Sequence, residues 1–252
     1  MPMIETARAT IHYKDYRQAP DTPPVILIHG AGGMYLDWSI TLRRDLGAIA
    51  LDLPGHGRSP LPGRASIADY AADVVALLDA LAIDAATIIG HSMGGAIAQT
   101  IALDYPQVVR RLGLIGTGAR LPVNPQIISG IVDDTEATAH LLMKWMWARD
   151  IDEQVRQQGA QRLLETPATV IQADFKACDA FDVRERLPQI AVDTLVLVGT
   201  DDKMTPLAWS QTLAAAIPQA NLITVAGGGH MVVLEQAQVV CDHLRAWLAH
   251  DR

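Results

Sequence analysis

Four short stretches of this chain carry groups suited to acyl transfer. Gly90-His91-Ser92-Met93-Gly94-Gly95 sets a serine among glycines. A serine hydroxyl is a weak nucleophile until a neighbouring base takes its proton. Gly227-Gly228-Gly229-His230-Met231 offers a histidine on a glycine-rich loop, and imidazole is the side chain that exchanges a proton near neutral pH. Gly199-Thr200-Asp201-Asp202-Lys203-Met204-Thr205-Pro206 offers two aspartates. One carboxylate is needed to hold the imidazole in the right tautomer and to stabilise the imidazolium. Adjacent side chains face opposite ways, so the residues leave Asp201 and Asp202 both open, the other being a solvent-facing or loop-capping group. The fourth stretch, His29-Gly30-Ala31-Gly32-Gly33, lacks bulk. Backbone N–H groups there can approach a ligand closely, and acyl transfer needs two such donors aimed at the oxyanion.

The remaining histidines lack this setting. His91 adjoins Ser92 on a sharp turn, where neighbours point apart, and is expected to pack against nearby loops. His56 lies in the tight turn Asp52-Leu53-Pro54-Gly55-His56-Gly57-Arg58-Ser59 and is expected to shape a wall of the site. His12 falls in an edge strand, His140 in an insertion, and His243 and His250 on the last helix.

The elements that position these groups follow from apolar patterning. Runs at 25–29, 48–51, 86–90, 112–115, 195–198 and 222–225 are nearly all apolar and end near glycine or a turn. Such runs suit strands buried on both faces of a parallel sheet. Helical spacing recurs over 67–81, after the N-cap candidate Ser66, and over 93–105, 207–217 and 234–249. Alternating strands and helices predict an α/β architecture: a mostly parallel central sheet with helices on both faces. Residues 8–16 alternate like an antiparallel edge strand. Open parallel sheets place their sites at the carboxyl ends of the strands, where all four stretches fall.

Thr117 to Arg186 breaks the alternation. It reads as helices over 135–150, 152–165 and 168–178, inserted between two core strands. The expected division is therefore a core of 1–116 and 187–252 and a helical cap of 117–186. On 135–150, Leu141, Leu142, Trp145 and Met146 share one face, with Met143 and Trp147 on another. A helix apolar on more than one side is usually covered on more than one side. One face is expected to rest on the core and another to line a substrate cleft, with Phe175 and Phe181 as further candidates.

The chain has 252 residues, half of them hydrophobic and 19% charged, with a formal net charge of −8. This supports a large core and disfavours phosphate backbones and anionic membrane surfaces as partners. No apolar stretch is long enough to span a bilayer and no signal pattern opens the chain. Cys178 and Cys241 are expected as free thiols in a reducing, cytoplasmic setting. No metal-ligand cluster or nucleotide motif is present, so no cofactor is expected.

Taken together, the segments 29–33, 52–59, 90–95, 199–206 and 229–231 resemble the α/β-hydrolase superfamily, and within it small esterases, lactonases and perhydrolase-like members. The order serine, aspartate, histidine agrees with that resemblance. The likeness implies a serine hydrolase with catalytic Ser92, His230 and, from its spacing to Gly199 and Pro206, Asp202. It implies an oxyanion hole from the N–H groups of Met93 and Ala31, with Gly30 and Gly32 as alternatives to Ala31. Gly32, Met34, Met143, Trp145, Met146, Trp147, Phe175 and Met231 are the expected substrate-pocket residues. The expected substrate is a neutral ester with a small or medium apolar acyl group, because none of the segments that must border Ser92 is cationic. Lys144, Arg149 and Arg156 are the insertion's candidates to supply a cation. Lactone cleavage and C–C bond hydrolysis are the alternatives of the same fold. Relatives that cleave C–C bonds carry a tryptophan soon after the histidine, where this chain has Met231-Val232-Val233-Leu234-Glu235. A triad-retaining receptor with little turnover is the alternative outside enzymes.

Overall fold

The computed structural model describes residues 2–19 and 22–250. Its strands are β1 (Met3–Glu5), β2 (Thr10–Asp15), β3 (Val25–Ile28), β4 (Ile49–Leu51), β5 (Ala86–His91), β6 (Val109–Ile115), β7 (Thr194–Gly199) and β8 (Ala220–Val225). Its helices are α1 (Ile40–Asp45), α2 (Ile67–Ala80), α3 (Met93–Asp104), α4 (Pro125–Asp133), α5 (Thr135–Met146), α6 (Glu153–Leu163), α7 (Ala168–Ala180), α8 (Leu207–Ala216), α9 (Val232–Glu235) and α10 (Ala237–Ala249).

One eight-stranded sheet runs in the order β1-β2-β4-β3-β5-β6-β7-β8. β3 to β8 pair in parallel, and β1 and β2 add an antiparallel edge. Side chains alternate across a strand, so each run feeds two cores. On β3, Ile26 and Ile28 face the α2 and α3 side, whereas Val25 and Leu27 face the α1 and α10 side. β7 divides likewise, with Val196 on one face and Leu195 and Leu197 on the other. A strand with both faces covered needs apolar residues at every position, which is why these runs do not alternate with polar ones.

The architecture is the expected one, with local differences. The predicted edge strand over 8–16 is β2, the second strand of a hairpin whose first strand, β1, takes the edge; at the turn between them Thr6 N–H and Thr6 Oγ1 both donate to Ala9 O. α4 was not among the expected helices, although Asn124-Pro125 is a start signal: the Asn124 side chain accepts from Gln126 N, and proline fits the first helical position. α1 spans only six residues and rests on its Ser39 cap, too short for its period to register. The last predicted helix begins two residues early and breaks at Gln236 into α9 and α10.

α4 to α7 lie between β6 and β7, where the insertion was read. Ile127, Ile131, Leu142, Trp147, Ile171 and Phe175 form an apolar cluster that Met231 joins from the core. The end of α7 joins instead the core cluster on the α2 and α3 side of the sheet, through Ala177, Cys178 and, just past the helix, Phe181. Both cysteines are buried and free. Among the described residues, no helix is long and apolar enough to cross a membrane.

Candidate active site

Ser92 sits at the junction of β5 and α3 with φ 54° and ψ −120°. A non-glycine residue in this region is strained and persists only where its surroundings hold it. Here Ser92 N–H donates to Ile115 O at 3.0 Å, and Thr117 Oγ1 donates to Ser92 O at 2.8 Å. The turn is so tight that a Cβ on Gly90 would lie 2.0 Å from Gly94 O, and one on Gly94 would lie 2.2 Å from Ile28 O. The flanking glycines are therefore steric requirements of the turn.

His230 follows β8 on its loop, and its Nδ1 lies 2.9 Å from Asp202 Oδ2. Thr205 Oγ1 donates to that same oxygen at 2.7 Å, while Asp202 Oδ1 accepts from Met204 N and Thr205 N at 2.9 and 2.8 Å. Burial favours the protonated acid, but His230 and the Thr205 bonds outweigh it and hold the Asp202 carboxyl below its ordinary range. With a carboxylate at Nδ1, the ring carries its proton there and presents Nε2 as acceptor. Asp201 points away: it is exposed, and among the described residues its side chain accepts only from Thr200 Oγ1. Ser92 and His230 line one cavity. Ser92 Oγ makes no hydrogen bond among the described residues, and such contacts commonly tighten when substrate binds.

His91 packs against the His230 loop, as expected. Its Nε2 donates to His230 O at 2.8 Å. Burial, then the neighbouring His230 ring, pushes His91 down to about 3, so it stays neutral.

The loop after β3 has its amides largely committed. Gly32 N–H donates to Asp174 Oδ2 and Gly33 N–H to Gly30 O. The Ala31 N–H has no partner among the described residues. Met93 occupies the first position of α3, where an N–H has no acceptor within its helix. Ala31 and Met93 are thus the two positions of the expected pair, and the Gly32 N–H, one of the alternatives, is engaged by Asp174.

The cavity over Ser92 measures about 100 Å³ and adjoins a chamber of about 400 Å³. Met146 and Met231 line both, Phe175 only the first, and Gly32, Met143 and Trp147 only the second. Two expected pocket residues line neither. Met34 is turned into the core, and Trp145 is 38% exposed on the outer side of α5. The inward face of α5 is Leu142, Met143 and Met146, continued by Trp147 just past its end; of the expected face Leu141, Leu142, Trp145 and Met146 it keeps Leu142 and Met146, while Leu141 and Trp145 are exposed. Successive residues turn by 100°, so Leu141 and Trp145 fall together on the side away from that face. Phe181 is buried in the core cluster and lines neither space.

Leu121, Leu163, Met204 and Trp209 also line the Ser92 cavity, and nothing in the sequence marks them beyond their being apolar. Lys144, Arg149 and Arg156 line neither space; Arg156 is spent on Ala148 O and Arg149 O. The cation that does arrive is Arg162 of α6, in the adjoining chamber, 3.4 Å from Asp37 Oδ1. Burial raises the Asp37 carboxyl above its ordinary value.

Residues 25–243 match the Alpha/beta hydrolase family. A relative from Stutzerimonas stutzeri, named "Putative carbamate hydrolase RutD", is 30% identical over 257 residues, covering 93% of this chain and 96% of its own. A thermophilic esterase of known structure is 31% identical, with a TM-score of 0.89 over 98% of this chain and 96% of that one. The enol-lactonase from Burkholderia xenovorans LB400 shares the fold at a TM-score of 0.92, with 24% identity over 99% of this chain and all of the other. A parallel sheet that presents a strained serine, and a likeness that runs nearly end to end, make this chain a hydrolase that belongs to the α/β-hydrolase family.

Proposed function

We propose that this chain hydrolyses neutral carboxylic esters with small or medium apolar acyl groups, through an acyl-enzyme on Ser92. The observation that carries the reading is the wall around Ser92. Leu121, Val123, Leu142, Met146, Phe175 and Met231 surround the serine and the His230 ring, and among the described residues no lysine or arginine lines that cavity. A substrate carboxylate there would lose water without gaining a partner, whereas each buried CH₂ of an acyl chain gains roughly 0.8 kcal/mol. The similarity to an esterase at 31% identity supports the same reading.

In this mechanism His230 Nε2 takes the Ser92 proton as Oγ bonds to the ester carbonyl carbon. The N–H groups of Ala31 and Met93 receive the oxyanion. The imidazolium, steadied by Asp202, returns the proton to the departing alkoxide as the C–O bond breaks. Water then enters, gives its proton to His230 and releases the acid, restoring the Ser92 hydroxyl. The helices of 117–186 act as a cap that excludes bulk water and supplies the acyl wall.

The test is kcat/KM over acetate, butyrate and octanoate esters, with a lactone, a carbamate, a free-carboxylate ester and a dienolic diketone alongside. Butyrate or acetate esters are expected to lead, and Ser92→Ala is expected to lose on the order of 10³-fold or more in kcat while remaining folded. A preference for the carboxylate ester or the diketone over the neutral butyrate ester would overturn the reading. A leading carbamate would move the chain toward the activity its relative is named for.

A further inference from the structure

We propose that Asp174 and Thr166, on the helical insertion, hold the oxyanion loop in its working shape, with Asp174 a positioning residue for the reaction. The inference rests on the reading of Ser92 and Ala31 given above.

Both sides of Gly32 are gripped from the insertion. Its N–H donates to Asp174 Oδ2 at 2.9 Å, and its carbonyl accepts from Thr166 Oγ1 at 2.9 Å. Gly32 adopts φ +65°, and a Cβ there would lie 2.5 Å from Leu163 Cδ1. The insertion therefore rests directly on this residue, and only glycine fits the space and the backbone angle.

The grip is transmitted to Ala31 through one peptide group. The Ala31 N–H and the Gly30 carbonyl belong to the same planar unit and point in opposite directions. Gly30 O accepts from His29 Nδ1 at 2.8 Å and from Gly33 N at 3.1 Å. The Gly33 bond forms only when Gly32 holds its turn. Asp174 and Thr166 thus fix the turn, the turn fixes the Gly30 carbonyl, and the Ala31 N–H is left facing the other way.

Asp174 is fully buried, and its three partners all donate. They are Gly32 N–H, the Tyr70 hydroxyl at 2.7 Å, and His56 Nε2 at 2.7 Å. The His56 ring faces acceptors at both nitrogens, with Pro54 O at 3.1 Å from Nδ1, so both nitrogens carry protons. A buried ion pair is seldom a better source of stability than apolar packing of the same volume. What an apolar side chain could not do here is accept from the Gly32 amide. An asparagine could not do it fully either, because its one acceptor oxygen cannot serve three donors and its NH₂ would face one of them.

The test compares the wild type with Asp174→Asn, Thr166→Val and Thr166→Ser. It uses kcat and KM for a butyrate ester and the inhibition constant of an alkylboronic acid. The boronate bonds to Ser92 Oγ as a tetrahedral adduct with an oxygen in the oxyanion position. Removing one oxyanion donor outright costs about 10²–10³-fold in kcat, so Asp174→Asn is expected to lower kcat by about 10- to 100-fold, with KM changed far less. Boronate affinity is expected to fall by a similar factor. Thr166→Val is expected to do the same to a smaller degree, and Thr166→Ser, which keeps the hydroxyl, to recover most of that loss. Should Asp174→Asn fail to fold, the valine and serine pair decides. Folded variants with wild-type kcat and boronate affinity overturn the proposal, as does a loss confined to KM. A wild type that neither turns over the ester nor binds the boronate overturns the Ser92 reading and this inference together.

Discussion

At the scale of single residues, the choice between Asp201 and Asp202 turns on the direction of one side chain. Asp202 faces inward, accepts from Thr205 and Met204, and has an oxygen 2.9 Å from His230 Nδ1. Asp201 faces out. Asp202→Asn replaces the acceptor at Nδ1 with a group that favours the wrong tautomer, a change worth up to about 10⁴-fold in serine-protease triads. Asp202→Asn is therefore expected to cost several hundredfold or more in kcat, and Asp201→Asn less than about threefold. Steady-state kinetics of the two purified variants on one ester decide the matter, and equal damage from both would count against the assignment.

At the scale of elements, α5 shows how a helix divides its aromatic residues. Trp147, at its end, is 5% exposed, and its Nε1 donates to Met143 Sδ at 3.4 Å. Gly159 of α6 lies against the same two side chains, where a Cβ would come within 3.0 and 3.1 Å of them. Trp145 stands on the outer face. Trp147→Ala is expected to destabilise the fold by about 3–5 kcal/mol, as for other large buried aromatics. Trp145→Ala is expected to stay within about 1 kcal/mol. Urea denaturation of both variants is the measurement. The end of α5 is also tied to the His230 loop: Met231 N–H donates to Met146 O, and the Glu235 carboxylate accepts from Gly229 N and Ala148 N. The insertion therefore touches both loops that border the Ser92 cavity, one at Gly32 and one at Met231 beside His230.

At the scale of the whole molecule, the buried histidines give stability a defined pH dependence. Burial opposes charge on His56, but Asp174 outweighs it and raises the ring above its ordinary 6.5. The folded state then holds this proton more tightly than the unfolded chain. Its contribution is complete below about pH 6.5 and is lost as pH rises through the folded value. His29 and His91 behave oppositely. Burial lowers both, and the unfolded chain takes up their protons first, so stability is lost as pH falls below about 6.5. The thermal midpoint of the wild type is expected to peak near neutrality, with each histidine contributing at most about 1.4 kcal/mol per pH unit on its side. Midpoints measured from pH 5 to 9 that climb steadily in one direction would contradict this assignment of charges.

What the sequence determined by itself is whatever one short segment encodes. Glycine spacing marked the Ser92 turn and the His230 loop, unbroken apolar runs marked the buried strands, and 3.6-residue periodicity marked the main helices. These signals are local because backbone angles and residue periods are local, and the strand order then brings the segments to one sheet edge. The tertiary structure decided what depends on contact through space. It set Asp202, not Asp201, beside His230, turned Trp147 rather than Trp145 inward, and brought Arg162 rather than Lys144, Arg149 or Arg156 to the adjoining chamber. It also joined Asp174 to Gly32 across 142 positions. No pattern along the chain encodes that last bond, because an aspartate's partner depends on where α7 crosses the loop after β3, and packing alone sets that crossing.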